Sequence, residues 1–492
     1  MSAHLILRLP SMATNSLIRA IAYLALTLFP AQAAAQGVPT TPSGLWRAKD
    51  LQSLKNESSR TPFEPIDLES GHAYTLSELI DLAQQHNPET RVTWQEAKSK
   101  AAALGIARGT LYPTLTAVAI AVSLRQAALI GEFFHRQTEG VFEPLLHVEY
   151  LVFDFGGRSG EIDIAKANLL SSDLAFNDAH RHIIDDVASA YYRLLNAEGQ
   201  RQAAEASLEN AKAVEQDSKA RLANGLATKP DELEATAARA QAEYDLQSAL
   251  GVVAVAHGAL ATSIGIPPGT PFKVEEIDAL KVPGAISDSV DHEIDRAFKQ
   301  RPDLLQQFAH LRAARAAVRQ AKSTYFPSLT FKGDGGLARA YGRQDLLPGS
   351  YAQGEIWSAE ADLRWNLFDG ARREYRMAQA KANERAAQAQ IDKVRDQIAN
   401  EVWAAYSNMQ TALRQQQAAA TLLDASQQSY EAAHEAYGYG VRNLLDVVSA
   451  QKTLAQARSE EIAARTQLLL EVTNVAFRTG DLIQVQHWHP PL

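Results

Sequence analysis

Two patterns of apolar and polar positions run through this chain, and each occurs twice. The first has a helical period. Ile391, Val394, Ile398, Val402, Ala405, Met409 and Leu413 step by three or four residues, an apolar seam of the coiled-coil kind. It lies in a proline-free run of about 65 residues that starts at Arg373. An earlier run, Gly160 to Leu222, also lacks proline and carries Ile184, Val187, Tyr191 and Leu194 at the same steps. A 60-residue helix is about 90 Å long, so these segments predict long rods rather than a small globule. Shorter return helices are expected over 231–264 and 444–478, after turns at Gly225 and Gly440.

The second pattern has period two. From Trp357 to Leu367 the residues Trp357, Ala359, Ala361, Leu363, Trp365 and Leu367 fall on one face, and Ser358, Glu360, Asp362, Arg364 and Asn366 on the other. Strict alternation over this length predicts a strand between two different environments, at about 357–367. Leu146, Val148, Tyr150 and Val152 alternate with His147 and Glu149 in the same way, which predicts a strand over 143–153. Partner strands are expected just after Pro113 and Pro327, at 114–125 and 328–337, with polar loops near 126–141 and 338–355. A soluble sheet alternates too, but four strands among such helices offer little core. A membrane barrel strand needs about 9–11 residues, and about eight strands are the smallest closed barrel. A barrel therefore requires several chains.

The doubling is an internal repeat. Residues 87–116 align without gaps to 301–330, pairing Pro88 with Pro302, Thr110 with Thr324 and Pro113 with Pro327. Further on, the offset rises from 214 to 215 and holds, pairing Phe153-Asp154 with Phe368-Asp369, Gly225 with Gly440, Asp231 with Asp446 and Gly265 with Gly480. The expected organisation is a first repeat over 73–264, a linker over 265–287 and a second repeat over 288–480. An irregular segment, 36–72, precedes the repeats and a tail, 481–492, follows them.

Composition narrows the location. Arg8 and Arg19 flank the apolar run Ala20–Phe29, and Ala31-Gln32-Ala33-Ala34-Ala35 follows, so residues 1–35 are expected to be a signal peptide cleaved after Ala33 or Ala35. Its removal takes the net charge from −9 to −11, and an acidic chain is a poor nucleic-acid binder. No cysteine is present, which excludes disulfides and thiolate chemistry. No later stretch reaches 18 consecutive apolar residues, so no membrane-spanning helix is expected in the mature chain.

The chemistry of enzymes is missing. There is no G-x-x-x-x-G-K-[ST], H-E-x-x-H or G-x-S-x-G. His180 and His182 lie two apart in a helical run, and His487 and His489 sit in the tail. Neither pair reads as a metal site. No cofactor, metal or catalytic constellation is expected, and without an ATP motif the chain cannot itself drive transport.

Together these features resemble the TolC-like outer-membrane efflux and secretion channels, over about residues 73–480. The specific signals are Asn87-Pro88-Glu89 and Arg301-Pro302-Asp303, the Phe-Asp-x-x-x-Arg strings ending at Arg158 and Arg373, and the glycine turns at Gly225 and Gly440. The resemblance implies an α+β membrane protein in the outer membrane of a Gram-negative bacterium. In it, a homotrimer builds one 12-stranded β-barrel, four strands per chain, in outer-membrane lipid. Long helices continue the barrel as a coiled-coil periplasmic tunnel. It implies docking to a periplasmic adaptor protein and an inner-membrane transporter. The competing reading is a non-conducting periplasmic coiled coil anchored in the outer membrane. Ser358, Glu360, Asp362, Arg364 and Asn366 would face the barrel lumen.

At the helix tips the resemblance implies a gate. Asp231 matches an aspartate that bonds residues matching Tyr437 and Arg442 on the second tip, and Asp446 matches an inward acidic ring. Where some members carry a second aspartate one turn on, this chain has Ser449, which argues against a double acidic ring. Lys229-Pro230 before Asp231 also departs from the usual tip.

Overall fold

The computed structural model of the chain describes residues 51–58, 68, 71–130, 132–276, 289–344 and 349–481. The expected signal peptide, most of the irregular segment 36–72, the tail beyond Asp481 with its two histidines and residues 277–287 of the linker lie outside the described residues. The chain divides into two units, Met1–Pro65 and Ile66–Leu492. In the first, a single described helix, α1 (Leu51–Ser58), ends with the Ser58 hydroxyl donating to the Lys55 carbonyl.

The second unit repeats one series of elements. It opens with β1 (Ala73–Tyr74), α2 (Leu76–His86), α3 (Pro88–Gly109), β2 (Thr114–Ile130), β3 (Phe133–Phe153), α4 (Gly157–Ala223) and α5 (Lys229–Ile264). After β4 (Lys273–Val274) come α6 (Val290–Gln300), α7 (Pro302–Ser323), β5 (Ser328–Gln344), β6 (Ser350–Arg364), α8 (Arg372–Gly438) and α9 (Leu444–Thr479). The matched helices have equal lengths: 11, 22, 67 and 36 residues in both copies. The prolines opening α3 and α7 stand at the first helical position, where no N–H is needed. The short helices α2 and α6 have no counterpart among the expected elements. Their start signals are local: the Thr75 hydroxyl accepts from the Glu78 N–H, and the Glu78 carboxylate accepts from the Thr75 N–H.

One antiparallel sheet holds the four long strands in the order β2-β3-β5-β6. All four differ in extent from expectation. The segments expected as loops at 126–141 and 338–355 largely join the ladder, so β2 reaches Ile130, β3 begins at Phe133, β5 reaches Gln344 and β6 begins at Ser350. Their polar and glycine residues lack one-faced alternation, yet backbone pairing does not require it. Conversely, β6 stops at Arg364 rather than Leu367. The Arg373 guanidinium takes the Asn366 and Leu367 carbonyls, and the Trp365 indole donates to the Tyr325 carbonyl. Asn366 is therefore past the strand end.

The largest packed cluster lies where α2 and the β1–β4 pair meet α4, α5 and α9. Leu79, Ile183, Ile184, Val187, Tyr191 and Leu260 are essentially fully buried there. The predicted seam of α8 divides between two contacts: Ile391, Ile398 and Val402 pack with Leu304 and Leu311 of α7, and Met409 packs with Leu468 of α9. An ion network built on two buried arginines ties the repeats together. Arg181, 1% exposed, donates to Asp178 and to the Phe477 carbonyl, and lies 3.9 Å from Asp303. Arg301 binds Asp303 and Glu401 at 2.7 Å each, and Arg478 shares Glu401. Burial penalises the Asp303 carboxylate, but Arg301 and Arg181 outweigh this and hold its pKa below the ordinary range. The network therefore stabilises the fold above the unfolded-state pKa, and that stability is lost as pH falls through the lowered one. The second half of α5 is apolar enough to cross a membrane and only 17% buried; α5 starts at the helix tip and runs back alongside α4 to Gly265, so its apolar face is surface for packing.

Gly336 marks the closest approach in the sheet. A Cβ there would lie 2.2 Å from the Pro144 carbonyl oxygen and 2.7 Å from Leu145 Cα, whereas one at Gly335 would meet nothing. Gly336→Ala should separate β3 from β5 and cost at least about 1–3 kcal/mol, seen as a lower thermal midpoint; Gly335→Ala, the control, should leave it unchanged.

Candidate functional site

Two regions gather the residues singled out in the sequence: the paired helix tips and the polar face of the sheet. The tips are built alike. At the first, Asn224 closes α4, Gly225 takes φ +75°, and the Leu226 N–H donates back to the Arg221 carbonyl at 2.8 Å. At the second, Tyr439 closes α8, Gly440 takes φ +74°, and the Val441 N–H donates to the Ala436 carbonyl at 2.9 Å. This is a left-handed C-terminal stop, which only glycine adopts readily. Pro230 sits within the first turn of α5 and leaves the turn before it like its twin.

The caps then use the two aspartates differently. The Asp231 carboxylate accepts from the Thr228 N–H at 2.8 Å and from the Thr228 hydroxyl at 2.6 Å. Those two bonds hold its pKa below the ordinary range. The cap is thus intact above the unfolded carboxylate pKa and weakens as pH falls through the lowered value. Asp446 occupies the matching position of α9, but there the Asn443 side chain caps by accepting from the Asp446 N–H at 2.9 Å. The Asp446 carboxylate is left partly exposed, 4.0 Å from Arg442, with Ser449 exposed one turn on.

Within one chain the two tips are tied by a residue the sequence reading did not single out. Arg221 donates to the Gly438 carbonyl at 2.9 Å, binds Asp217 at 3.1 Å and lies 4.4 Å over the Tyr437 ring. Tyr437 is buried among Val214, Ala235, Leu444 and Val447, and burial raises its pKa. Asp231 is close enough to add to that rise, but its hydrogen bonds go to Thr228 rather than to Tyr437 or Arg442. Repeat alignment hides Arg221, because its counterpart is Ala436.

The sheet separates its faces as the alternation predicts. Register pairs Lys332 with Glu360, Asp334 with Ser358 and His147, and Thr330 with Asp362, so these residues share one face. Trp357, Ala359, Ala361 and Leu363 pair with Gly335, Gly333, Phe331 and Leu329 on the other. The polar face is cross-linked. His147 Nδ1 is 2.7 Å from Asp334 Oδ1, the Ser358 hydroxyl donates to Asp334 Oδ2 at 2.8 Å, and Arg364 and Lys332 both reach Asp362. Where sheet meets helix, Arg158 bonds the Thr110 and Val152 carbonyls, which explains the repeated Phe-Asp-x-x-x-Arg string as a joint. His180 packs edge-on against Phe176 and His182 lies 3.7 Å from Asp178, and no metal-binding cluster is found among the described residues.

A sequence profile of the family described as outer membrane efflux protein matches residues 79–266 and 294–481. Protein CyaE of Bordetella pertussis is 28% identical over 410 residues, covering 83% of this chain and 84% of CyaE. Outer membrane protein OprJ of Pseudomonas aeruginosa is 25% identical over 390 residues, covering 77% and 78%. The crystal structure of a membrane protein from Pseudomonas aeruginosa superposes with a TM-score of 0.72 at 23% identity, covering 82% of this chain and 90% of that one.

Arg221→Ala removes the tie between the tips. Amide hydrogen exchange at residues 439–441 should quicken about tenfold, as for loss of one charge-assisted bond, while exchange around Ile183 stays unchanged. Equal rates at the tips would show that Arg221 is not what joins them.

Proposed function

Because this chain belongs to the outer membrane efflux protein family and is an outer-membrane channel with a large periplasmic tunnel, we propose that three copies close one duct, gated at the helix tips. The observation that supports this is an imbalance between the repeats. Inside the chain, α4 is flanked by α5 on one side and α9 on the other, and its contact with α9 is intimate: Gly199 lies against Ile462, and Asn196 donates to Thr466. The same surfaces one repeat later are bare. Arg414 of α8 takes the place of buried Gly199, and Gly251 of α5 that of buried Thr466; both are exposed. If α8 of one copy packs on α5 of the next as α4 packs on α9, each contact leaves the same surfaces open. Head-to-tail contacts of this kind close into rings.

The sheet supports the same reading, since β2 and β6 are both unpaired edges. Three sheets joined edge to edge would form a 12-stranded barrel. Trp357 and Leu363 would then face lipid, while Ser358, Glu360, Asp362 and Arg364 face the lumen, with Asn366 at its base. At the other end six tips would surround one opening. Three copies of Asp446 would concentrate negative potential there, and Arg442 would be placed to reach Asp231 or Asp446 of the next copy. The exposed apolar residues Leu226, Tyr439, Val441 and Leu445 offer the tips a docking surface for a periplasmic adaptor, through which an inner-membrane transporter would supply the energy.

Two experiments test this. The contact of Gly160 with Gln320 inside the chain maps, one repeat over, onto Tyr375 and Ile106, which are 75% and 76% exposed. In a chain without cysteine, Ile106→Cys with Tyr375→Cys should oxidise to dimers and trimers; monomer alone would count against the ring. In planar bilayers Arg442→Ser should raise conductance and Asp446→Asn should alter ion selectivity. Absence of any pore would favour the non-conducting coiled coil.

A further inference from the structure

The two joints between sheet and long helix differ in charge. Where β6 ends and α8 begins there is a cavity of about 280 Å³. Its charged lining is Arg364, Arg372, Arg373 and Arg376 with Asp154 and Asp369. Arg364 and Asn366 of the polar alternation belong to its wall, and Trp365 and Leu367 do not. The cavity therefore opens toward the polar face of the sheet.

Most of these charges are engaged by the fold. Asp154 Oδ2 accepts from the Arg158 N–H at 2.6 Å. Arg373 bonds the Asn366 and Leu367 carbonyls and lies 3.5 Å from Asp369, and Arg364 reaches Asp362 at 2.9 Å. Arg372 and Arg376 are exposed, and neither has an ion pair or a hydrogen bond with any described residue. They stand i,i+4 at the start of α8, where like charges repel and the helix dipole disfavours cations. The fold gains nothing from placing them there. The first repeat has no such pair: Gly157 and Glu161 match Arg372 and Arg376, and Glu149 matches Arg364. Capping differs as well. Asp154 takes the Arg158 N–H, whereas Asp369 takes no N–H of α8, whose first turn has no side-chain cap. An uncapped helix N-terminus flanked by unpaired arginines is suited to an oxyanion, which accepts from both.

We propose that Arg372 and Arg376, with the first turn of α8 and the nearby Arg364, form a binding site for a phosphate group at the joint of sheet and helix. The site lies within one chain. Its place along the duct rests on the three-copy reading above, in which three such sites ring the passage where barrel gives way to tunnel. There a phosphate-bearing solute on its way out would meet them. A phospholipid headgroup at the membrane edge offers the same chemistry, so the source of the phosphate is a separate measurement.

The test is calorimetric titration of the detergent-purified full chain with inorganic phosphate at low salt. Arg372→Gln with Arg376→Gln should weaken binding by about tenfold or more, as for loss of charge-assisted bonds. Arg385→Gln, which changes another exposed arginine farther along α8, should keep the wild-type affinity. Phosphate should raise the thermal midpoint of the wild type and not that of the double variant. In phosphate-free buffer the double variant should melt no lower than the wild type, because the two arginines hold nothing in the fold. Equal affinities, no binding by the wild type, or a midpoint lowered without phosphate would each overturn the inference. Repeating the titration in phosphatidylglycerol nanodiscs identifies the source. Binding as in detergent supports a solute in the duct, and binding lost there supports a headgroup already in the site. The titration needs no pore, so failure to conduct in planar bilayers would overturn the channel reading and leave the phosphate site standing.

Discussion

A four-stranded sheet in a lipid bilayer has two edges, and in hydrocarbon every backbone N–H and C=O on those edges must find a partner. This constraint governs the rest of the molecule. The strands β2 and β6 end the sheet with long unpaired ladders. Soluble proteins blunt such edges with charge, proline or bulges. Here β2 is apolar and regular along most of its length, and β6 is regular throughout. The helical half meets the same condition in another form, because α8 and the apolar half of α5 each keep a flank that no described element of the same chain covers. In the proposed ring, one head-to-tail contact would resolve both. A duplicated chain is suited to it, since the surface that joins its two halves internally would be the template for a surface joining copies.

Much of this was legible in the residues. The steps of three and four in Ile391–Leu413 gave the long helices, whose ends fall within a few residues of expectation, because Gly225, Gly440, Gly265 and Gly480 are left-handed stops that few other residues can replace. The Trp357–Leu367 alternation gave the faces of the sheet correctly. It could not give the strand lengths. Beyond Leu337 and before Ile356 polar residues occupy both faces, so period two disappears while backbone pairing continues. It also carried β6 too far, since the pattern does not show that Arg373 will claim the Asn366 and Leu367 carbonyls.

At the tips, pairwise matching of the repeats found the symmetric parts and missed the asymmetric one. Asp231 and Asp446 occupy equivalent positions, but Thr228 draws the first carboxylate into its own cap, whereas Asn443 caps the second helix and leaves Asp446 to Arg442. Arg221 has no counterpart and yet bridges the two turns. Arg301 and Asp303 stood out as a string, but their links to Arg181 and Glu401 did not: on a long helix, sequence spacing cannot distinguish a charge at a helix crossing from one in water. Removing one member of such a cluster would leave buried Arg181 or Arg301 without compensation and destabilise the region where the repeats meet.

Stoichiometry is the most direct test of the account. Native mass spectrometry of the protein extracted from outer membranes should give a single assembly of three chains, each 53.7 kDa less the weight of any removed leader. A monomer or dimer at the same extraction conditions, with pores still formed in bilayers, would contradict the claim that incomplete edges and flanks are closed by two further copies.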